Sequence, residues 1–209
     1  MRLGVPTLCC YEALDRLIAS AERGSEKPDG YVIIDNGGGY EPKAQNVELI
    51  RPGRNLGVAA SWNMLLRSGE TMVISNDDIE FEQDTFARFV EAIAKSCLAL
   101  SPAGWDLFAQ TSEAVARIGW YDEQFWPAYY EDLDYARRAS LAGIEPIVVD
   151  APYKHDRSLT LRTSSEAWVI RRGSVRSHEH FIRKWGGSPG EETYTVPFGG
   201  LPCKPTGLR

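Results

Sequence analysis

No stretch of this 209-residue chain approaches the roughly 18–20 consecutive apolar residues needed to span a bilayer. The apolar start, "LGVPTLCC", runs directly into a charged amphipathic segment with no small-residue cleavage region, so no secretory leader is read there. A soluble, cytoplasmic chain is expected. Cysteine is scarce: Cys9, Cys10, Cys97 and Cys203 make neither a C-x-x-C pair nor a zinc-type spacing, which argues against a disulfide framework or a structural zinc site. Positive charge is in deficit, with 23 Lys and Arg against 29 Asp and Glu. A general coat for nucleic acid is thereby disfavoured, because phosphate binding draws on a cationic surplus. Internal repeats and low-complexity tracts are also missing. What is present, 43% hydrophobic and 25% charged residues, suits one compact unit with a substantial core.

Apolar strands alternate with amphipathic helices along the chain. "RLGVP" reads as a short strand, and Leu14, Leu17, Ile18 and Ala21 recur at helical spacing within Tyr11 to Glu22. "YVIID", "VELIRP", "TMVIS" and "IEPIVVD" are β-branched runs. Val58 to Arg67, the segment after Asp84, Glu131 to Ala142 and Ser174 to Trp185 have helical periodicity, and Gly143 and Gly186 supply stops. This order predicts an α/β fold with a mainly parallel sheet covered on both faces. In such sheets ligands bind outside the carboxyl ends of the strands, which selects Pro6, Thr7, Asp35, Asn36 and Ser75 to Asp78.

Two acidic clusters fall at informative places. Asn76, Asp77 and Asp78 follow "TMVIS" directly, where oxygen ligands could hold a hard divalent cation. Taken alone, the same three residues would serve as a turn or a helix cap. Downstream, "YYEDLDYARR" places Glu131, Asp134 and Tyr135 on one helical face, with Asp132 turned about 100° away. The helix N-terminus is expected to soften their repulsion and keep Glu131 and Asp132 ionised. Asp134 can pair with Arg137 or Arg138 along the helix.

Together these stretches resemble the family 2 type glycosyltransferases of the GT-A fold, over roughly the first three quarters of the chain. "VPTLCCYEALDRLIAS" is similar to the opening strand and helix, "YVIIDNGG" to the nucleotide-binding second strand, "RNLGVAASWNMLLR" to the loop and helix after it, and "SNDDIEF" to the D-x-D metal motif. "IGWYDEQFWPAYYEDLDYARRASLAG" is the most specific match, with its glycine, "DE", aromatics and E-D-x-D helix. The resemblance implies a GT-A catalytic domain over 1–160, with a donor half about 1–80 and an acceptor half about 81–160, and a C-terminal helix and tail over 161–209. It implies an inverting, metal-dependent transfer of a hexosyl or deoxyhexosyl group from a nucleoside-diphosphate sugar, with UDP or dTDP as first guesses, to an acceptor hydroxyl.

In that reading Asp132 is the general base and Glu131 holds the acceptor or orients the base. Asp78, with His155, holds Mn2+ or Mg2+. Pro6, Thr7, Asp35, Asn55, Gly57, Asn76 and Asp77 line the donor site, and Arg157 or Arg162 neutralises phosphate. Among six tryptophans, Trp120 and Trp126 flank the acceptor side and are the candidates for stacking on sugar, while the others, Trp62 and Trp105 included, are assigned to packing. The sequence departs from the family where Asn76 stands for the first aspartate, which leaves one fewer charged ligand. "DNGGGY" is not a dinucleotide fingerprint, since Pro42 follows where that motif needs a helix. Alternatives from other classes are a nucleotidyltransferase, disfavoured because no Gly-rich, lysine-bearing loop follows the first strand, and a non-catalytic nucleotide-sugar or glycan binding module. The basic helix Ser174 to Trp185 could cover the donor, pair with a second copy of the chain as a homo-oligomer, or face an anionic surface.

Overall fold

The computed structural model describes residues 1–200, so Cys203 and the end of the predicted tail lie outside the described residues. Its elements are β1 (Arg2–Thr7), α1 (Tyr11–Ala21), β2 (Tyr31–Asp35), β3 (Val47–Ile50), α2 (Val58–Leu66), β4 (Met72–Ser75), β5 (Ile79–Phe81) and α3 (Thr85–Ile93). Then come β6 (Leu98–Ser101), β7 (Gly104–Gln110), α4 (Ser112–Ile118), α5 (Glu131–Leu141), β8 (Ile147–Val148), β9 (Tyr153–His155), α6 (Leu159–Thr163) and α7 (Ala167–Trp185).

Seven strands form one sheet in the order β3-β2-β1-β4-β7-β6-β8. The pairs β1–β2, β1–β4, β2–β3 and β6–β8 are parallel, whereas β7 runs antiparallel to both β4 and β6. Strand alternation divides the core into two layers. Tyr31, Ile33 and Val73 pack beneath α1 and α3, while Val32, Ile34 and Ile74 pack beneath α2 and α5. Both faces of the central strands are therefore apolar, the pattern expected of a covered parallel sheet.

Three differences from the sequence reading have local causes. The region Lys95 to Gln110, where no strand was read from sequence, folds as a β6–β7 hairpin whose second strand is inserted beside β4. The run "IEPIVVD" shrinks to the two residues of β8 at the sheet edge. The last helix starts at Ala167, seven residues before the predicted Ser174, and carries Gly173 in its interior. That glycine has a packing reason: a Cβ there would lie 2.1 Å from Pro127 Cδ, so only glycine lets the 127 loop rest on α7. Gly57 meets the same loop, with φ of +81° and a Cβ position 2.7 Å from the Pro127 carbonyl oxygen.

Candidate active site

A cavity of about 570 Å³ opens beyond the carboxyl ends of β1 and β4. Pro6 and Thr7 enter it from the end of β1, Asn76, Asp77 and Asp78 from the exit of β4, Asn55 and Gly57 from the loop before α2, and Glu131 and Asp132 from the start of α5. His155, at the end of β9, and Arg157 line it as well. Residues 70 to 150 positions apart thus share one wall.

The metal-motif side is a chain of polar contacts. Asp77 is buried and accepts a 2.6 Å hydrogen bond from Thr7 Oγ1. Burial drives its carboxyl up to about 7, against the lowering effect of that hydrogen bond. β5 pairs with β9 so that Ile79 lies opposite His155, which brings the imidazole alongside Asp78. His155 Nε2 is 3.0 Å from Asp78 Oδ1, and Nδ1 is 2.9 Å from Asp106 Oδ2. The second contact is close enough for charge attraction but lacks hydrogen-bond alignment, leaving Nδ1 without a partner. Asp106 first and Asp78 second hold the imidazole up at about 9. Burial raises Asp106, yet contacts with His155, Ser101 and Tyr153 outweigh it and keep that carboxyl below its usual range. Among the described residues no group of three or more His, Cys, Asp or Glu side chains is arranged to hold a metal ion.

The α5 side has a different character. Tyr129 and Tyr130 both adopt left-handed backbone, with φ of +75° and +73°, a costly conformation for bulky residues. This turn delivers three carboxylates in three directions. Glu131 points inward, is 5% exposed, and leaves Oε2 without a partner. Burial, with Asp132 second, pushes its carboxyl well above the usual range. The expectation that the helix N-terminus keeps Glu131 ionised is thus corrected: desolvation outweighs the dipole. Asp132 is half-buried, accepts from Leu133 N–H at 2.8 Å, and is also raised by burial. Asp134 is fully buried, bound to Arg138 Nε at 2.9 Å, Lys184 Nζ at 2.7 Å and Trp185 Nε1 at 2.9 Å.

Other predicted residues fall elsewhere. Asp35 lies off the cavity wall, where its carboxylate accepts from Gly38 N–H, Tyr40 N–H and the Tyr11 hydroxyl and so shapes the "DNGGGY" loop. Arg162 is on the exposed surface, paired with Asp156. Trp120 and Trp126 are 49% and 41% exposed and line no part of the cavity, whereas Trp62 and Trp105, assigned from sequence to packing, do. The reason is tertiary: Gly57 and Gly173 draw the Trp126–Pro127 segment against α2 and α7, so Pro127 lines the cavity while the Trp126 ring lies on the Asn55–Gly57 loop, its Nε1 donating to the Asn55 carbonyl at 3.3 Å. Asn36, selected from sequence at the end of β2, lines the cavity, whereas sequence reasoning missed Asp106. Asp106 left a signal, a carboxylate between Trp105 and Leu107 in an otherwise apolar run.

No protein-family model matches the sequence, and no curated protein matches it either. Solved structures do match in fold. The mannosyltransferase PcManGT from Pyrobaculum calidifontis, in complex with GDP-Man and Mn2+, superimposes with a TM-score of 0.61 at 17% identity, over 90% of this chain and 65% of that one. GalNAc-T7 with UDP, GalNAc and Mn2+ gives 0.64 at 11% identity, over 88% of this chain and 49% of that one. TarS 1-349 from S. aureus in complex with UDP gives 0.56 at 12% identity, over 91% and 74%. The chain therefore has the GT-A fold, and it spans less than two thirds of the first two neighbours.

Proposed function

We propose that this chain is a glycosyltransferase that moves a sugar from a nucleoside-diphosphate sugar to an acceptor hydroxyl, with inversion at the anomeric carbon. One observation carries the reading. The Asp78–His155 pair, Arg157 and the half-buried carboxylate of Asp132 line one cavity. A diphosphate group and an acceptor hydroxyl need these two kinds of group.

A carboxylate oxygen and an imidazole nitrogen suit Mn2+ or Mg2+ as two ligands, with diphosphate oxygens and water left to complete the shell. Asp78 and His155, whose side chains meet 3.0 Å apart beside the cavity, would hold the ion. Such an ion, when bound, neutralises charge developing on the departing diphosphate. Arg157 adds a guanidinium for phosphate oxygens. Asp132 takes the proton from the acceptor hydroxyl as its oxygen bonds to the anomeric carbon and the bond to the diphosphate oxygen breaks. Its half-buried setting raises its basicity, which favours this role.

UDP, dTDP and GDP sugars form the donor panel, the last because GDP-Man accompanies one structural neighbour. The catalytic unit is read as 1–160, with the described residues after it, 161–200, packed upon it. Replacement of Asp132 by Asn tests the assignment: nucleotide-sugar binding persists while transfer falls by about 10²–10⁴-fold. Full activity in that variant eliminates Asp132 as the base. Donor binding by the unmodified chain without turnover, across a broad acceptor panel, favours a binding module instead.

A further inference from the structure

Helix α7 (Ala167–Trp185) has two faces of different chemistry. The inner one is built into the domain: Ile170, Gly173, Ser177, Phe181 and Trp185 are buried, and Ile170 lines the cavity. The opposite face carries Trp168, Val175 and Ile182, which are 60%, 60% and 37% exposed. Seven residues along a helix return to nearly the same direction, with a drift of about 20°. The three side chains therefore stand in one row about 21 Å long. Exposed apolar residues scattered singly need no explanation, whereas an aligned row of them does.

Arg171, Arg172, Arg176 and Arg183 flank the row, and all four are exposed. Among the described residues none of the four meets a carboxylate, whereas Arg2, Arg16, Arg51 and Arg117 on other surfaces each do. The Arg172 guanidinium lies 6.0 Å from the Trp168 ring centroid, so charge and apolar surface are interleaved. Glu179 is the only acid in the helix. On a chain whose net charge is −6, this face is a local cationic surplus.

We propose that the outer face of α7 docks on an anionic lipid bilayer, with Trp168, Val175 and Ile182 entering the headgroup region and the four arginines meeting lipid phosphates. Each component has a use there. Tryptophan favours the bilayer interface, and arginine lays its apolar stem along lipid while its guanidinium stays with phosphate. No helix among the described residues is long and apolar enough to cross a membrane, so α7 lies along the surface and not through it. A second copy of the chain fits worse, because two-fold pairing sets arginine against arginine with only Glu179 to offset them. Nucleic acid would use the arginines and leave Val175 and Ile182 in water. A lid over the cavity would need the row to face inward, and of α7 only Ile170 does. Because that inner side borders the cavity, docking holds the cavity about one helix diameter, roughly 10 Å, from the lipid, whatever reaction it runs.

The test is sedimentation of the full chain with vesicles of phosphatidylcholine alone and of phosphatidylcholine with an equal part of phosphatidylglycerol. The expected result is binding to the anionic vesicles and not to the neutral ones, weakened about fivefold by each of Arg171→Gln and Arg176→Gln. Trp168→Ser leaves every charge in place and should weaken binding about tenfold. These positions are exposed, so the variants should keep the urea midpoint of the unmodified chain, and Val175→Ser takes the place of Trp168→Ser if that one does not. Equal binding to both vesicle types overturns the proposal. So does binding that no apolar substitution weakens, which reduces the face to a general phosphate-binding patch, and so does absence of binding, which leaves the face to an acidic protein. Sedimentation velocity supplies the remaining outcome: a dimer of the unmodified chain that Val175→Arg disperses assigns the face to a second copy and overturns the lipid assignment.

Discussion

Replacing Glu131 by Gln should stabilise the unliganded protein increasingly as pH rises. Glu131 is buried without a partner for Oε2, and its carboxyl stays protonated well above its ordinary value of 4.5. Between that value and the raised one, the folded chain retains a proton that the unfolded chain has released. The proton count is larger in the folded state, so stability falls with rising pH, by about 1.4 kcal/mol per pH unit. Glutamine does not titrate and is free of this loss. The advantage of Glu131→Gln therefore grows by about 1.4 kcal/mol per unit from about pH 4.5 upward and levels off at the raised value. An amide orphaned in the same place adds a pH-independent offset of about 1–3 kcal/mol, which moves the intercept and leaves the slope alone. Urea denaturation of both proteins at one-unit pH intervals reads the slope directly, with the other titrating groups cancelling in the difference. Asp132 is the second cause of the shift, so an Asp132→Asn background should shorten the pH window without changing the slope. Parallel stability curves would show that Glu131 is as well solvated as in the unfolded chain, and would remove the physical basis for a neutral carboxyl in the cavity.

Two further outcomes follow from the charged parts of the molecule. If His155 ligates the metal, binding of Mn2+ must strip the proton that Asp106 and Asp78 help it keep up to about pH 9. Calorimetry at pH 7.5 in buffers of different ionisation enthalpy should then record release of about one proton per ion and an affinity that rises with pH, and release of none excludes His155 as a ligand. Asp134→Ala leaves Arg138 without its carboxylate, takes from Lys184 one of its two carboxylate partners, the other being Asp122, and frees Trp185 Nε1. It should cost about 3–5 kcal/mol in urea denaturation, and a loss below about 1 kcal/mol would mean that water reaches this network.

The legible parts of the chain were those in which one period dominates. The continuous apolar run "YVIID" is buried on both faces and the 3.6-residue spacing of Leu14, Leu17, Ile18 and Ala21 buries one side of α1, and local physics suffices to read both. Asp78 and Asp132 were legible because acidic residues at a strand exit and a helix start stand out against their neighbours. The insertion of β7 between β4 and β6 was not, because strand order is set by pairings such as Ser75 with Leu107 that leave no local trace. The same holds for the tryptophans. Nothing local in sequence marks Trp62 as a cavity-lining residue or seats Trp126 on the Asn55–Gly57 loop; both follow from packing between distant segments. Glu131 was misjudged for a related reason. Helix-terminal electrostatics is local and readable, but the burial that overrides it comes from side chains distant in sequence.

Adjacent carboxylates in "EDLD" would repel one another if their surroundings were alike. The fold gives each a different surrounding. Asp134 is neutralised by Lys184 and Arg138 in the interior, Glu131 is held protonated by burial at the cavity wall, and Asp132 is the least buried of the three. Pairs of titratable groups driven apart in this way sort themselves into acid and base roles. The buried network of Asp122, His180 and Lys184 ties α7 to this helix, with Lys184 Nζ 2.7 Å from both Asp122 and Asp134. A change in α7 should therefore reach the reacting groups through the seating of α5, although few residues of α7 touch the cavity themselves. The cost of that arrangement lies in the left-handed backbone of Tyr129 and Tyr130 and in the unpaired Oε2 of Glu131.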